Sequence, residues 1–505
     1  MAMDRPLWSP GEDRIDRANL SRFMRFVREE TGKADLYSYA PLYHFSVEQP
    51  AAFWTLLWDF VGIRGSGERT PVLVEEDGVA VARWFPGVSL NFAQNLLRFD
   101  DERIAIRCHG ADPDHDSISY AQLQRRVAAL ATAMRAAGVA SGDRVAALLP
   151  NEPDALVAML ASASLGAIWF ACPTRLAPEA AAALLQPLSP KLLFLADPAQ
   201  WRELALADPG TVVVVVGSEG GSAPLAGHIG LHAFVAPFAN AELEFAALAF
   251  DHPLYLTLAT TSAGVEYLVH GAGGTLIQHL KELVLHADLK REDKIFFHAD
   301  NDSMAWYWLA SSLAVGSTLV LHAGAQLAAD EAGLWDLVDE FSVSVLGVHS
   351  RWLDAAAQTG LRPMDSHRLL SLKTILTAGA ALSPDSYDFV YRDIKARVLL
   401  APISTGGDTL ACFALGAPVL PVWRGEIPCR GLGMKVGVLN ASGAAVVGEA
   451  GDLVCSAPFP STPLGFWDDP EHQRYAQASF FRQPGHWCSG ERATLTARES
   501  IILAS

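Results

Sequence analysis

The sequence predicts an α/β fold of two wound, mostly parallel sheets covered by helices, with a smaller β-rich subdomain after them. Three observations carry this. Short apolar runs at Val145–Leu149, Leu192–Leu195 and Val212–Val216 alternate with segments of helical spacing. Strands apolar on both faces belong to a parallel sheet buried under helices. The alternation lapses in the Ala/Gly-rich stretch 217–250, read as loop and weak helix, and resumes with Ile295–Phe297, Thr318–Leu321, Val343–Leu346, Ile375–Thr377 and Val398–Leu400, a second wound sheet. Beyond residue 411 the runs shorten (Cys412–Leu415, Lys435–Val438, Asp452–Cys455) with Gly and Pro between them, the mark of a β-rich part.

Taken in order, residues 1–100 form a helical cap region rich in Trp, Phe and Tyr, with Leu20, Phe23, Phe26 and Val27 at helical spacing. Residues 101–250 form a first α/β subdomain. It opens on Ser119-Tyr-Ala-Gln122, which has the capping-box form, and Leu123, Val127, Leu130 and Met134 then share one helical face. A helix over Ala155–Leu165 follows the strand that ends at Pro150. Residues 251–410 form a second α/β subdomain, with helices through Trp306 and Leu309 and over 332–340, and residues 411–505 the β-rich one.

Composition narrows the function. The chain has 505 residues, half of them apolar, and a formal net charge of −18. That charge argues against nucleic acid, whose affinity comes from Lys and Arg neutralising phosphates, and points to a small molecule. No basic-then-apolar leader and no uninterrupted apolar span are visible, so the expectation is a cytoplasmic chain without a membrane partner. The six cysteines form no C-x-x-C pair, which fits reduced, packed thiols.

The stretch with the most chemistry is Leu254–Gly274, an apolar β-branched run that breaks into small hydroxyl residues and then glycines. Small side chains let backbone N–H groups and hydroxyls surround an anion. A plain strand-to-strand turn of small residues, kept by packing, fits the same pattern.

Four stretches carry a resemblance: DHPLY (251–255) with VHGAGGTLIQHLKE (269–282), RGEIPCRGLGM (424–434), GDLVCSAPFPSTPLGFW (451–467) and SYAQLQRRVAALATAMRAAGV (119–139). Together they resemble the acetoacetyl-CoA synthetase branch of the AMP-forming acyl-CoA synthetases, along nearly the whole chain. The resemblance implies the large N-terminal domain of adenylate-forming enzymes. It also implies a two-step reaction: a carboxylate attacks the α-phosphate of ATP, then CoA thiol displaces AMP, with magnesium assisting. The family's mobile C-terminal domain would begin where this sequence stops, at Ser505, so the expectation is ATP and Mg if the family function is retained, and no use of CoA.

Residue by residue, the resemblance places the phosphate loop S-S-G-T-T-G-L-P-K on Ala259–Tyr267, with Thr260, Thr261, Ser262 and Gly264 as nucleotide contacts. Its lysine becomes Tyr267, or Glu266 with the gap placed earlier, and Glu266 would repel pyrophosphate in a shared pocket. Gly379 and Ala380 in TAGAAL fall on the adenine segment, and Asp408 in STGGDT on the acidic position near magnesium, with Gly407 replacing a threonine. In Trp487-Cys-Ser-Gly490-Glu491, Glu491 replaces the ribose-binding aspartate of W-x-x-G-D. Trp306 and His349 fall on the acyl pocket, Trp308 matches the same aromatic segment of the family, and the family's Gly-Trp becomes Asp302-Ser303. The segment Cys-Ser-Pro-Asp-Phe reads Cys172-Pro-Thr-Arg175.

Three functions stay open. One is a degenerate homologue that keeps a cleft for a carboxylate, a nucleotide or a protein partner. The second is an active ligase joining acetoacetate and CoA. The third is a re-purposed metal enzyme: His298, Asp300 and Asp302 alternate at a strand end and His349 follows a nearby strand, donors that suit a divalent cation, although such a run is also a routine turn. His270 and His279 read as packing residues.

Overall fold

The computed structural model describes residues 5–75, 82–110, 117–197, 199, 204, 210–217, 228–261, 264–323, 327–328, 332–406, 408–480 and 483–504. The expected architecture is present. An eight-stranded sheet runs in the order Ile229–Gly230, Val212–Val215, Leu192–Leu195, Arg144–Leu148, Ile168–Ala171, Pro253–Thr261, Gly264–Gly271, Gly465–Phe466. Its first six strands are parallel, and the last two joints are antiparallel. A seven-stranded sheet runs Leu399–Pro402, Thr374–Ala378, Val345–His349, Lys294–Phe297, Thr318–His322, Ile104–His109, Ser117–Ser119, parallel except at its final joint. The β-rich part is the antiparallel sheet Val436–Leu439, Ala450–Cys455, Trp487–Leu495, Ile501–Leu503.

The sheets do not follow the expected division at residue 250. Strands Ile104–His109 and Ser117–Ser119 pair into the seven-stranded sheet, and the hairpin Pro253–Gly271 pairs into the eight-stranded one. Periodicity reports which faces are buried; it does not report which edges pair. The strand expected at Val343–Leu346 lies at Val345–His349 because the preceding helix takes Val343 for its own closure. Ser342 adopts φ 54° there, and the Val343 N–H donates to the Val338 carbonyl at 2.9 Å.

The N-terminal helices Asn19–Thr31, Tyr39–Glu48 and Pro50–Val61 lay Leu20, Phe23, Val27, Phe53, Trp54 and Leu57 fully into the core. Polar pins fix them: the Asn19 backbone N–H donates to Asp288 at 2.8 Å, and the Tyr43 hydroxyl to the Met434 carbonyl at 3.0 Å. The Ser119 capping box forms as read and starts the helix Tyr120–Ala136. Five of the six cysteines are buried and all are free thiols. No helix among the described residues is long and apolar enough to cross a membrane.

After the hairpin, the helix Ala272–Leu280 runs into a π-helical turn, Lys281–His286, and the core here is polar. His270, His279 and His286 are buried, and burial holds their pKa values down to about 3, 4 and 3. Each stays neutral in the fold and binds a proton near pH 6.5 once unfolded. Their stabilising effect is complete above pH 6.5 and is lost as pH falls toward the folded values. The urea midpoint is therefore expected to drop steadily from pH 7 to pH 5, and His286→Gln to flatten part of that slope; equal slopes would rule the assignment out.

Candidate functional site

The parallel strands of both sheets end on one cleft of about 1090 Å³. Ligands of wound α/β sheets bind beyond the carboxyl ends of the strands, so topology alone singles out this space. Pro150, Asn151 and the turn Pro173–Leu176 line it from the eight-stranded sheet; His298, Ala299, Asp300, Asp302, His322, His349 and Gly379 line it from the seven-stranded one; Thr405 and Asp408 line it as well. Asn151 ties the two sheets together, accepting from the Trp306 indole at 2.9 Å and donating to the Ala299 carbonyl at 3.3 Å.

Leu254–Gly274 begins as a β-hairpin that continues into a helix. Its register pairs Leu258 with Tyr267, Ala259 with Glu266 and Thr260 with Val265. Alternation then separates two faces. Leu258, Thr260 and Val265 line the cleft. Tyr267 shares their side: its ring meets Phe170 at 5.8 Å and its hydroxyl donates to the Leu184 carbonyl at 2.7 Å. Burial pushes that hydroxyl up to about 12.

Glu266 sits on the other face, where Arg474 Nη1 donates to both its oxygens at 2.7 and 2.8 Å. The expected repulsion of a ligand by Glu266 is thereby corrected: the residue faces away from the cleft and its charge is matched. The three candidate hydroxyls also part company. Thr260 is exposed on the cleft wall, Thr261 donates to the Gly264 carbonyl at 3.0 Å and closes the hairpin, and Ser262 lies outside the described residues. Gly264 (φ 129°) serves the turn and has open space around it.

Gly379 is required by its neighbour. With φ 99°, it lies where a Cβ would fall 2.1 Å from His349 Nε2. His349 is exposed on the cleft and its Nδ1 accepts from the Arg351 N–H at 3.2 Å, capping the helix Ser350–Gln358. Burial and Arg351 keep its pKa below the usual histidine value. Ala380 is half-buried beside Gly379 and is not part of the wall. Asp408 is on the wall and exposed, yet the surrounding protein raises its pKa above the usual aspartate value. Gly407 lies outside the described residues.

Glu491 does not line the cleft. It accepts from the Ser404 hydroxyl; burial raises its pKa and that bond partly offsets the rise. Trp487 supports the same loop through its indole N–H on the Gly406 carbonyl at 3.0 Å. Trp306 is corrected as well: it is fully buried behind the wall on Asn151, and Trp308 is the residue that lines the cleft.

The metal constellation does not assemble. Among the described residues, no group of three or more His, Cys, Asp or Glu could hold a metal ion. His298, Asp300 and Asp302 do line the cleft, in the loop and turn after the strand Lys294–Phe297, but both carboxylates face Arg175. Arg175 Nη1 lies 3.0 Å from one Asp302 oxygen, 3.2 Å from the other, and 3.6 Å from Asp300. Burial raises the Asp302 pKa, and Arg175 pulls it back part of the way. Arg175 is the cleft-lining cation that motif matching left without a role; its signal was a cation in a turn following a fully buried strand.

These features define an adenylate-forming fold, and residues 92–242 match the AMP-binding enzyme family. The chain is 38% identical over 520 residues to the acetoacetyl-coenzyme A synthetase of Rhizobium meliloti (strain 1021), covering 100% of this chain and 79% of that protein. It is 36% identical over 522 residues to the acetoacetyl-CoA synthetase of Xenopus tropicalis, covering 98% and 77%. The structure of acetoacetyl-CoA synthetase from Streptomyces lividans superposes with a TM-score of 0.91 at 32% identity, over 99% of this chain and 80% of that one. The chain belongs to the acetoacetyl-CoA synthetase family.

Because Glu266 faces away from the cleft, Glu266→Gln is expected to change the affinity of any cleft ligand less than twofold and to cost less than about 1 kcal/mol of stability. Gly379→Ala is expected to lower the melting temperature and displace His349, since the new Cβ has no room. Calorimetric titration and thermal melts of both variants check this.

Proposed function

We propose that this chain is a small-acid-binding member of its family that has lost the ATP-dependent ligation. One observation carries the reading: among the described residues, the only Lys or Arg on the cleft wall is Arg175, and two aspartates already hold it. A triphosphate needs donors and cations, and this wall offers it three carboxylates against one guanidinium. The lysine position carries Tyr267, which is spent on a backbone carbonyl, and the ribose position carries Glu491, which is spent on Ser404. Asp408 suits magnesium; the rest of the donor set does not suit ATP.

Each phosphate contact removed commonly costs ~3 kcal/mol, roughly a hundredfold in rate, so two such losses imply about a ten-thousandfold deficit. What remains is a cleft of the family's shape for a small carboxylate such as acetoacetate. A working ligase is the competing reading, favoured by Asp408 on the wall and by similarity along the whole chain.

Pyrophosphate exchange with ATP, magnesium and acetoacetate separates the two. The expected result is exchange at background together with saturable acetoacetate binding by calorimetry. Exchange well above background by the unmodified chain would overturn the proposal.

A further inference from the structure

We propose that Arg175 is the receptor for the ligand's carboxylate and that Asp302 is an internal competitor which the ligand must displace. The proposal rests on the reading that the cleft binds a small acid, and it adds the group that recognises it. Arg175 follows the strand Ile168–Ala171 of the eight-stranded sheet, and Asp302 follows Lys294–Phe297 of the seven-stranded one, so their ion pair crosses the cleft between the two sheets.

Two departures from the family pattern meet in this pair. Counting from the shared cysteine, Arg175 stands where the pattern Cys-Ser-Pro-Asp-Phe has its aspartate, and Asp302 stands where Gly-Trp has its glycine. The residues are 127 positions apart and lie in contact. A pair kept only for stability would be a poor investment at this exposure, because an ion pair with one partner in water contributes little. The Arg175 side chain is 63% exposed, whereas that of Asp302 is 12% exposed, just before the helix Met304–Ser311.

The guanidinium has a planar fork that fits one carboxylate in two bonds. Asp302 now occupies that fork through a single nitrogen, Nη1, leaving the other donors of the group for an incoming acid. A carboxylate ligand that takes Arg175 across the cleft makes the same charge-assisted bonds. Its net affinity is reduced by whatever Asp302 must give up. Removing the charge of Asp302 while keeping its shape therefore strengthens binding, which a merely structural ion pair would not do.

Calorimetry on the full chain tests this with acetoacetate and its uncharged analogue acetoacetamide. Asp302→Asn is expected to tighten acetoacetate five- to tenfold, and Arg175→Met to weaken it at least tenfold. Acetoacetamide is expected to bind at least tenfold more weakly than acetoacetate and to ignore both substitutions. Circular dichroism melts confirm that each variant is folded. Acetoacetate binding that is unchanged in Arg175→Met, or weakened in Asp302→Asn, overturns the receptor and leaves the small-acid reading standing. Binding by Asp302→Asn alone supports the competitor, and binding by no variant at all overturns both.

Discussion

The structure turns on one buried carboxylate. Glu282 has no exposed surface and sits on the π-helical turn that follows the hairpin. It accepts from Gln278 at 2.8 Å, from the backbone N–H of Cys412 at 2.8 Å and from the Trp308 indole at 3.0 Å, with the equally buried Lys281 ammonium at 3.2 Å. Burial alone would raise its pKa; Lys281, His279 and the hydrogen bonds together hold it below the usual value. A charge in this setting is tolerable only while every partner stays in place. Glu282 therefore joins the helix after the hairpin, the cleft wall at Trp308 and the segment that begins with Asp408. The neutral histidines around it belong to the same arrangement, with His279 reaching Ser311 at 2.8 Å and the Leu410 carbonyl at 3.1 Å.

Much of the fold was legible because it rests on periodicity. Leu192–Leu195 is a strand as read, and the Ser119 box starts its helix. The strand Ile168–Ala171 and the helix Pro178–Leu185 were not anticipated: IWFA is too short to separate from the apolar helix before it, and PEAAAALL has a weak face. Sheet membership was also hidden, since nothing local tells Ile104–His109 that its edge partner is Thr318–His322.

The site was legible in outline and not in direction. Thr260, Gly379, His349 and Asp408 line the cleft, while Thr261, Trp306 and Glu491 are turned to backbone or side-chain partners. A motif gives the position of a residue and leaves open which face it takes. At the hairpin that choice decides everything: a shift of one residue would exchange Tyr267 and Glu266 between cleft and exterior. Cations that a triphosphate would need are absent from the described wall, and the one guanidinium there is balanced by Asp300 and Asp302.

The most direct measurement is a crystal structure grown with ATP, magnesium and acetoacetate together. A cleft rebuilt for a small acid predicts acetoacetate with its carboxylate on Arg175, Asp302 released, and no ordered triphosphate along Leu258–Val265. An ordered triphosphate in contact with that hairpin, with Arg175 still on Asp302, would contradict it.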